Sequence, residues 1–194
     1  MDATLHFNRL NGEINKEVWK YMDVNSFITD CPDYGRKAVD EIGADVYGGG
    51  TPAPGCRIGY TQGVFDMFHI GHLNLLKHAK EKCDYLIVGV NKDSLVYQYK
   101  HKTPVVAENE RLQIVSSIRF VDRCVLVDTL DKVALWEKLH FDSIFIGDDW
   151  KGNARWMQTE KDLATYGVKL TYLPYTKDVS STMLRGEHEN RVEG

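Results

Sequence analysis

Residues 58–72 read Ile58-Gly59-Tyr60-Thr61-Gln62-Gly63-Val64-Phe65-Asp66-Met67-Phe68-His69-Ile70-Gly71-His72. Ile58–Thr61 predicts a short strand and Gly63 a turn. Beyond it Leu73, Leu76 and Ala79 recur at helical spacing, with Lys77 and Lys80 on the wet side, which predicts a helix over 70–81. Downstream, Tyr85–Val90 (YLIVGV) is a continuous apolar run, the pattern of a strand buried on both faces of a parallel sheet. Glu108–Ile118 then reads as a helix, Cys124–Val127 as a strand, Lys132–Leu139 as a helix and Ser143–Ile146 as a strand. Thr159–Tyr166 reads as a helix ended by Gly167, Lys169–Leu173 as a strand stopped by Pro174, and Ser181–Glu187 as a last helix. Lys100–Pro104 falls on a loop after the second strand. This alternation implies an α/β fold: a Rossmann-like parallel sheet of about five strands with helices on both faces.

Upstream of Arg57 the pattern changes. Gly48-Gly49-Gly50-Thr51-Pro52-Ala53-Pro54-Gly55 sustains neither helix nor paired strand, so residues 1–56 read as an N-terminal extension ending in a Gly/Pro linker. Glu13–Tyr21 and Tyr34–Ile42 are short helix candidates, the second with Asp33 as N-cap and Gly43 as stop. Residues 57–187 form the main domain and 188–194 a polar tail.

The chain of 194 residues is 43% hydrophobic and 27% charged, enough apolar material for a core and too much for wholesale disorder. No apolar run approaches a membrane span, and the start lacks a secretory signal. The net charge of -4 argues against a generic nucleic-acid surface. Cys31, Cys56, Cys83 and Cys124 form no C-x-x-C pair and read as free thiols, which points to the cytoplasm.

Active sites of such sheets lie beyond the carboxyl ends of the strands. The loop there, Gly63 to His72, joins a glycine turn to a helix start, whose free N–H groups attract phosphate. His69 and His72 are three apart and share one face of that start. Two imidazoles aimed at an anion can donate hydrogen bonds to a phosphate whose charge changes during reaction. The competing readings are a half-buried histidine pair and an H-x-x-H metal site, for which the sequence offers no second ligand cluster.

Gly-x-Phe-Asp-x-x-His-x-Gly-His after a first strand resembles the signature of the cytidylyltransferase family, within the HIGH-motif nucleotidyltransferase superfamily. Val179-Ser180-Ser181-Thr182-Met183-Leu184-Arg185 is similar to the family's I-S-[ST]-T segment. Ile146-Gly147-Asp148-Asp149-Trp150-Lys151-Gly152 resembles the glycerol-3-phosphate cytidylyltransferase branch in particular. The Lys-Met-Ser-Lys-Ser segment of class I aminoacyl-tRNA synthetases has no counterpart.

The resemblance implies that 57–187 is a nucleotidyltransferase domain moving CMP from CTP to a small phosphomonoester, most readily glycerol 3-phosphate, with Mg2+ as cofactor and a homodimer as the assembly. It implies catalytic roles for His69, His72 and Lys102. Nucleotide contacts fall to Gly63, Val64, Phe65, Asp66, Gly71, Asp149, Thr176, Ser180, Ser181 and Thr182. Acceptor contacts fall to Lys100, Lys102, Arg111, Lys132, Trp150 and Tyr175, and Asp66 is the candidate metal residue. Arg119 is placed near the site or a dimer interface. Tyr175 and Asp178 stand where the family usually has arginine and glycine, and Lys177 is the nearest replacement cation. Phosphocholine, phosphoethanolamine and other polyol phosphates stay open as acceptors. So do an ATP-using adenylyltransferase and a non-catalytic nucleotide-binding scaffold.

Overall fold

The computed structural model describes residues 38–39, 45–47, 52–176, 179–181 and 183–184. All of them belong to one compact unit, Asp33–Gly194. The expected helix Glu13–Tyr21, Lys177, Asp178, Thr182, Arg185 and the tail 188–194 lie outside the described residues. Among the described residues seven strands form one sheet: β1 (Ala38–Val39), β2 (Asp45–Tyr47), β3 (Ile58–Gly63), β4 (Tyr85–Asn91), β5 (Arg123–Val127), β6 (Ser143–Gly147) and β7 (Lys169–Leu173). Their spatial order is β1-β2-β5-β4-β3-β6-β7. The five strands β3 to β7 pair in parallel, as the alternating pattern predicts, while β1 and β2 add an antiparallel edge onto β5.

Helices α1 (Ile70–Lys80) and α3 (Glu108–Ser116) cover one face; α4 (Lys132–Leu139) and α5 (Ala154–Ala164) cover the other. Each face has its own core. Leu76, Ala79, Leu112 and Val115 pack on Leu86, Val88, Cys124 and Phe145. Leu135, Leu139, Trp156 and Leu163 pack on Tyr60, Ile87, Val125 and Ile144. Covering both faces is what makes YLIVGV a run rather than an alternation.

Three elements differ from the sequence reading. Within the expected helix Tyr34–Ile42, Ala38–Val39 is a strand: its pairing with Val46 and Asp45 extends a sheet edge, and a short isolated helix is marginal in water. Residues 93–99 carry no assigned element in the sequence and Lys100 falls on an expected loop, yet Asp93–Lys100 forms helix α2, a short helix that buries Leu95 and Val96. Helix α5 starts five residues before the expected Thr159, with the Asn153 side chain accepting from Arg155 N–H.

The register opens the crevice. Pairing of β3 with β4 runs to Gly63–Val90, but pairing of β3 with β6 stops at Thr61–Phe145. The carboxyl ends of β3 and β6 therefore part where the strand order reverses, the position that receives ligands in open α/β sheets. Glycines let the sheet accept large rings beside these strands. A Cβ on Gly59 would lie 2.5 Å from the Phe145 ring and 2.6 Å from Cys83 Sγ. Gly59→Ala should destabilise the domain by about 1–3 kcal/mol through overpacking, read as a lower urea midpoint; an unchanged midpoint would show that β3 has room to shift.

Candidate functional site

The loop between β3 and α1 carries two non-glycine residues in the left-handed region, Phe65 (φ 56) and Met67 (φ 45). Such geometry is uncommon and clusters at functional loops. Phe65 is buried against Gly63 and edge-on to His72. The loop delivers His69 as the N-cap of α1, where Gly71 N–H donates to His69 Nδ1 at 3.1 Å. The His69 N–H in turn donates to His72 Nδ1 at 3.4 Å, completing a reciprocal cap. The two rings stack with centroids 3.8 Å apart. Gly71 makes this possible: a Cβ there would sit 3.0 Å from the His69 ring and 3.4 Å from Val179.

These bonds fix the chemistry of the pair. Each Nδ1 accepts a hydrogen bond from a backbone N–H, so each neutral ring carries its hydrogen on Nε2 and presents it as a donor. Burial pushes the His72 pKa down to about 3, with His69 and Lys100 adding to the fall and Asp66 opposing it. Burial also lowers His69. Both rings are therefore neutral donors near pH 7.

Asp66 does not fit the expected metal role. It is 3% exposed, and its carboxylate accepts from Val105 N–H (3.1 Å) and Val106 N–H (3.0 Å). Among the described residues, no three His, Cys, Asp or Glu side chains gather to hold a metal ion. Asp66 is instead a clamp between the histidine loop and the lysine loop. Arg111 is its counterpart and corrects a second expectation. It is 0% exposed and donates to Val106 O (2.9 Å), Val64 O (2.5 Å), Asn91 O (2.9 Å) and Asp93 Oδ1 (2.5 Å). Its guanidinium holds the protein together rather than facing an acceptor.

The Ser180–Ser181 segment is brought to the same place. Ser181 Oγ donates to Asp66 O at 2.7 Å, and Ser180 caps its helical turn by accepting from Met183 N–H at 3.2 Å. In this structure both hydroxyls are thus engaged with the protein. Asn74 of α1, not singled out in the sequence, donates to Thr176 Oγ1 at 3.0 Å and ties the segment after β7 to α1. Asp148 Oδ1 accepts from Tyr175 N–H at 3.0 Å, which joins the Gly147–Trp150 turn to that segment. Asp149 is pushed up by burial and the neighbouring Asp148 charge. Trp150 is 40% exposed, with the Arg155 guanidinium 5.6 Å from its ring centroid. Lys100 lies over the Tyr99 ring at the end of α2, and Lys102 is exposed on the next loop. Lys132 is 7% exposed at the start of α4, its Nζ donating to Leu130 O.

Two outcomes follow for stability. Asp66→Ala strips the acceptor from two backbone donors and should cost about 1–3 kcal/mol in urea unfolding, with Asp66→Asn recovering part of it. His72 stays neutral when folded down to about pH 3, whereas an unfolded histidine protonates near ~6.5. The unfolded chain then binds the extra proton, so stability is full above that value and falls on acidification. Urea midpoints taken from pH 7.5 to 4 should show a shallower acid slope for His72→Asn than for the wild type; parallel slopes would contradict a neutral, buried His72.

Comparison with known proteins matches this arrangement. A family model described as cytidylyltransferase-like fits residues 60–187. The chain is 33% identical over 126 residues to the glycerol-3-phosphate cytidylyltransferase of Bacillus spizizenii, covering 64% of this chain and 92% of that protein. It is 38% identical over 103 residues to the ethanolamine-phosphate cytidylyltransferase of Dictyostelium discoideum, covering 52% of this chain and 29% of that protein. It is 40% identical over 119 residues to the bifunctional protein HldE of Caulobacter sp. (strain K31), covering 58% of this chain and 24% of that protein. The chain thus spans about a quarter of that last relative. Among solved structures, the lipopolysaccharide core biosynthesis protein of Thermoplasma volcanium superposes with a TM-score of 0.55 at 29% identity, over 64% of this chain and 100% of that one. The pantothenate synthetase of Thermus thermophilus, at 14% identity, TM-score 0.50 and coverage of 70% and 64%, shares the fold alone. The model spans the crevice from β3 past the Ser180–Ser181 segment, and the chain belongs to the cytidylyltransferase-like family.

Proposed function

We propose that this protein transfers CMP from CTP to a small phosphomonoester, with glycerol 3-phosphate the favoured acceptor. The observation that carries the reading is the pair of neutral imidazoles at the start of α1, both tautomers set by backbone donors. An oxygen of the acceptor phosphate attacks the α-phosphorus of CTP, the bond to the β-phosphate oxygen breaks, and pyrophosphate leaves with that electron pair. The acceptor's second pKa is about 6, so it is already a dianion near neutrality and needs no general base. Catalysis then reduces to placement and to stabilising charge on the equatorial oxygens. His69 and His72 donate to those oxygens from Nε2, and neutral donors do so without competing as acids.

The Ser180–Ser181 turn receives the leaving pyrophosphate, and the helix start of α1 adds N–H groups to the same anion. Lys100 and Lys102 bring the acceptor phosphate in line. Asp66 accepts from Val105 N–H and Val106 N–H, so magnesium would be held by the triphosphate itself, where it would neutralise the leaving pyrophosphate. The Gly147-Asp148-Asp149-Trp150 turn and the match to the Bacillus relative support glycerol 3-phosphate. The reading includes a homodimer, checked by sedimentation velocity. It also includes a cytoplasmic setting, supported by free thiols at Cys56, Cys83 and Cys124 and by the finding that, among the described residues, no helix is long and apolar enough to cross a membrane.

Pyrophosphate release with CTP or ATP and a panel of acceptors tests this directly. Release with CTP and glycerol 3-phosphate is expected, and release with ATP alone would move the reaction to adenylyl transfer. His72→Ala should lower kcat by about 10²–10³ while CTP affinity changes little, because its donation strengthens in the transition state. Equal losses in both would remove it from that role.

A further inference from the structure

A row of hydrogen bonds runs from the core to the lysine loop. Tyr60, fully buried in β3, donates from its hydroxyl to Gln62 Oε1 at 3.1 Å. Gln62 Nε2 donates to Asn91 Oδ1 (2.7 Å) and to Thr129 O (3.0 Å), and Asn91 Nδ2 donates to the Tyr99 hydroxyl (3.1 Å). One partner fixes the direction of the whole row. The Thr129 carbonyl can only accept, so the Gln62 NH2 must face it, and Gln62 Oε1 is left for Tyr60. Asn91 Oδ1 then takes the other Gln62 hydrogen, which turns the Asn91 NH2 to Tyr99. Gly89 in β4 leaves room for the start of the row, because a Cβ there would collide with the Tyr60 hydroxyl. Arg111 holds the other end of Asn91 by donating to its carbonyl at 2.9 Å. A buried polar network satisfied in this way is rigid and has one geometry.

The row ends where helix α2 needs an anchor. The start of α2 is well held: Asp93 N–H donates to Glu108 Oε2 at 2.7 Å, the Asp93 carboxylate accepts from Glu108 N–H and Arg111, and Leu95 and Val96 are buried. From Tyr97 to Thr103 every residue is exposed. Burial resumes at Pro104, just ahead of the Val105 and Val106 N–H groups that Asp66 accepts. Tyr99 lies in the middle of that exposed stretch, and the bond from Asn91 fastens it to the carboxyl end of β4. The next residue is Lys100, whose Nζ stands 5.7 Å from the centroid of the Tyr99 ring, within cation–π range. The Lys100 charge also acts on His72. The lysine therefore rests on a ring whose hydroxyl is pinned beside the histidine loop.

We propose that Tyr99 is a positioning residue for Lys100, and that the Tyr60–Gln62–Asn91 row sets where this ammonium stands relative to His69 and His72. This rests on the phosphomonoester reading above, in which Lys100 holds the acceptor phosphate, and adds the residues that hold Lys100. Tyr99 acts without touching the substrate. It restrains a long side chain whose freedom would otherwise be lost on binding.

The test is the binding of glycerol 3-phosphate to the full chain, saturated with the non-cleavable α,β-methylene analogue of CTP and followed by calorimetry. Tyr99→Phe, at an exposed position, keeps the ring and removes the pinned hydroxyl. It should weaken glycerol 3-phosphate by about two- to tenfold, the range of one neutral hydrogen bond, while affinity for the CTP analogue changes by less than about twofold. Asn91→Leu leaves the Tyr99 hydroxyl present but unpinned and should give a similar loss. Lys100→Met weakens binding by itself, and adding Tyr99→Phe to it should change nothing further, because a residue that acts through another has no effect once the other is gone. Losses that add in full, a loss in Tyr99→Phe with none in a folded Asn91→Leu, or equal losses for both ligands would overturn the proposal. So would wild-type affinity in Tyr99→Phe or in Lys100→Met, and so would no binding of glycerol 3-phosphate at all. Should Asn91→Leu not fold, the cycle of Tyr99→Phe with Lys100→Met decides. Pyrophosphate release with CTP is measured in parallel. Its absence while the cycle holds would sink the transfer reaction and keep the positioning role; release together with additive losses would do the reverse.

Discussion

A single buried guanidinium organises the catalytic end of this fold. Arg111 reaches from α3 to the carbonyls of Val64, Asn91 and Val106 and to the Asp93 carboxylate. It thereby ties the histidine loop, the end of β4 and the lysine loop to one rigid group. A planar fork with five donors suits this task in a way a lysine could not. Removing one member of such a buried charged set commonly costs about 3–5 kcal/mol, because the partners are left desolvated and unpaired. Asp66 supplies the opposite half of the clamp by accepting from Val105 and Val106, while its own carbonyl receives Ser181. Three segments far apart in sequence are held in register by these two side chains.

On that frame the site combines neutral donors with nearby positive charge. Burial keeps both histidines neutral, and His69 and Lys100 add to the effect on His72. An anion arriving at the start of α1 meets oriented N–H groups rather than mobile protons, and preorganised dipoles of this kind cost no reorganisation during reaction. The space for it comes from the register, since β3 and β6 stop pairing at Thr61–Phe145 while β3 and β4 continue to Gly63–Val90. Loop chemistry and sheet topology meet at one point because the switch in strand order falls there.

Much of this was legible in the chain. The five parallel strands follow from apolar runs broken by Gly167, Pro174 and the glycine loop, and the histidine pair follows from a three-residue spacing at a helix start. The edge strands were not legible, because Ala38–Val39 and Asp45–Tyr47 are too short to carry a period and gain their structure from pairing with each other and with β5. Helix α2 is eight residues long and has no side-chain cap at its start, so no punctuation in the chain marks it. The early start of α5 did have a signal, in the Asn153 cap. Arg111 and Asp66 were recognised as belonging to the site but given the wrong partners, since charge alone does not tell a ligand contact from a backbone contact.

The sequence by itself determined which segments become strands and helices in the main domain, and it placed a phosphate-friendly loop at the end of β3. Those features depend on local spacing, on glycine's conformational freedom and on hydrophobic period, all of which are written along the chain. Only the tertiary structure decided what the charged and polar groups do. It buried Arg111 among carbonyls, turned Asp66 onto two backbone donors and set the tautomers of His69 and His72. It also buried Lys132 at the start of α4, near the Trp156 ring. The physical reason is that the free energy of a charge or a hydrogen-bonding group is set by its partners and its dielectric surroundings, and these come from residues as distant in sequence as Val64 and Arg111, or Asp66 and Ser181.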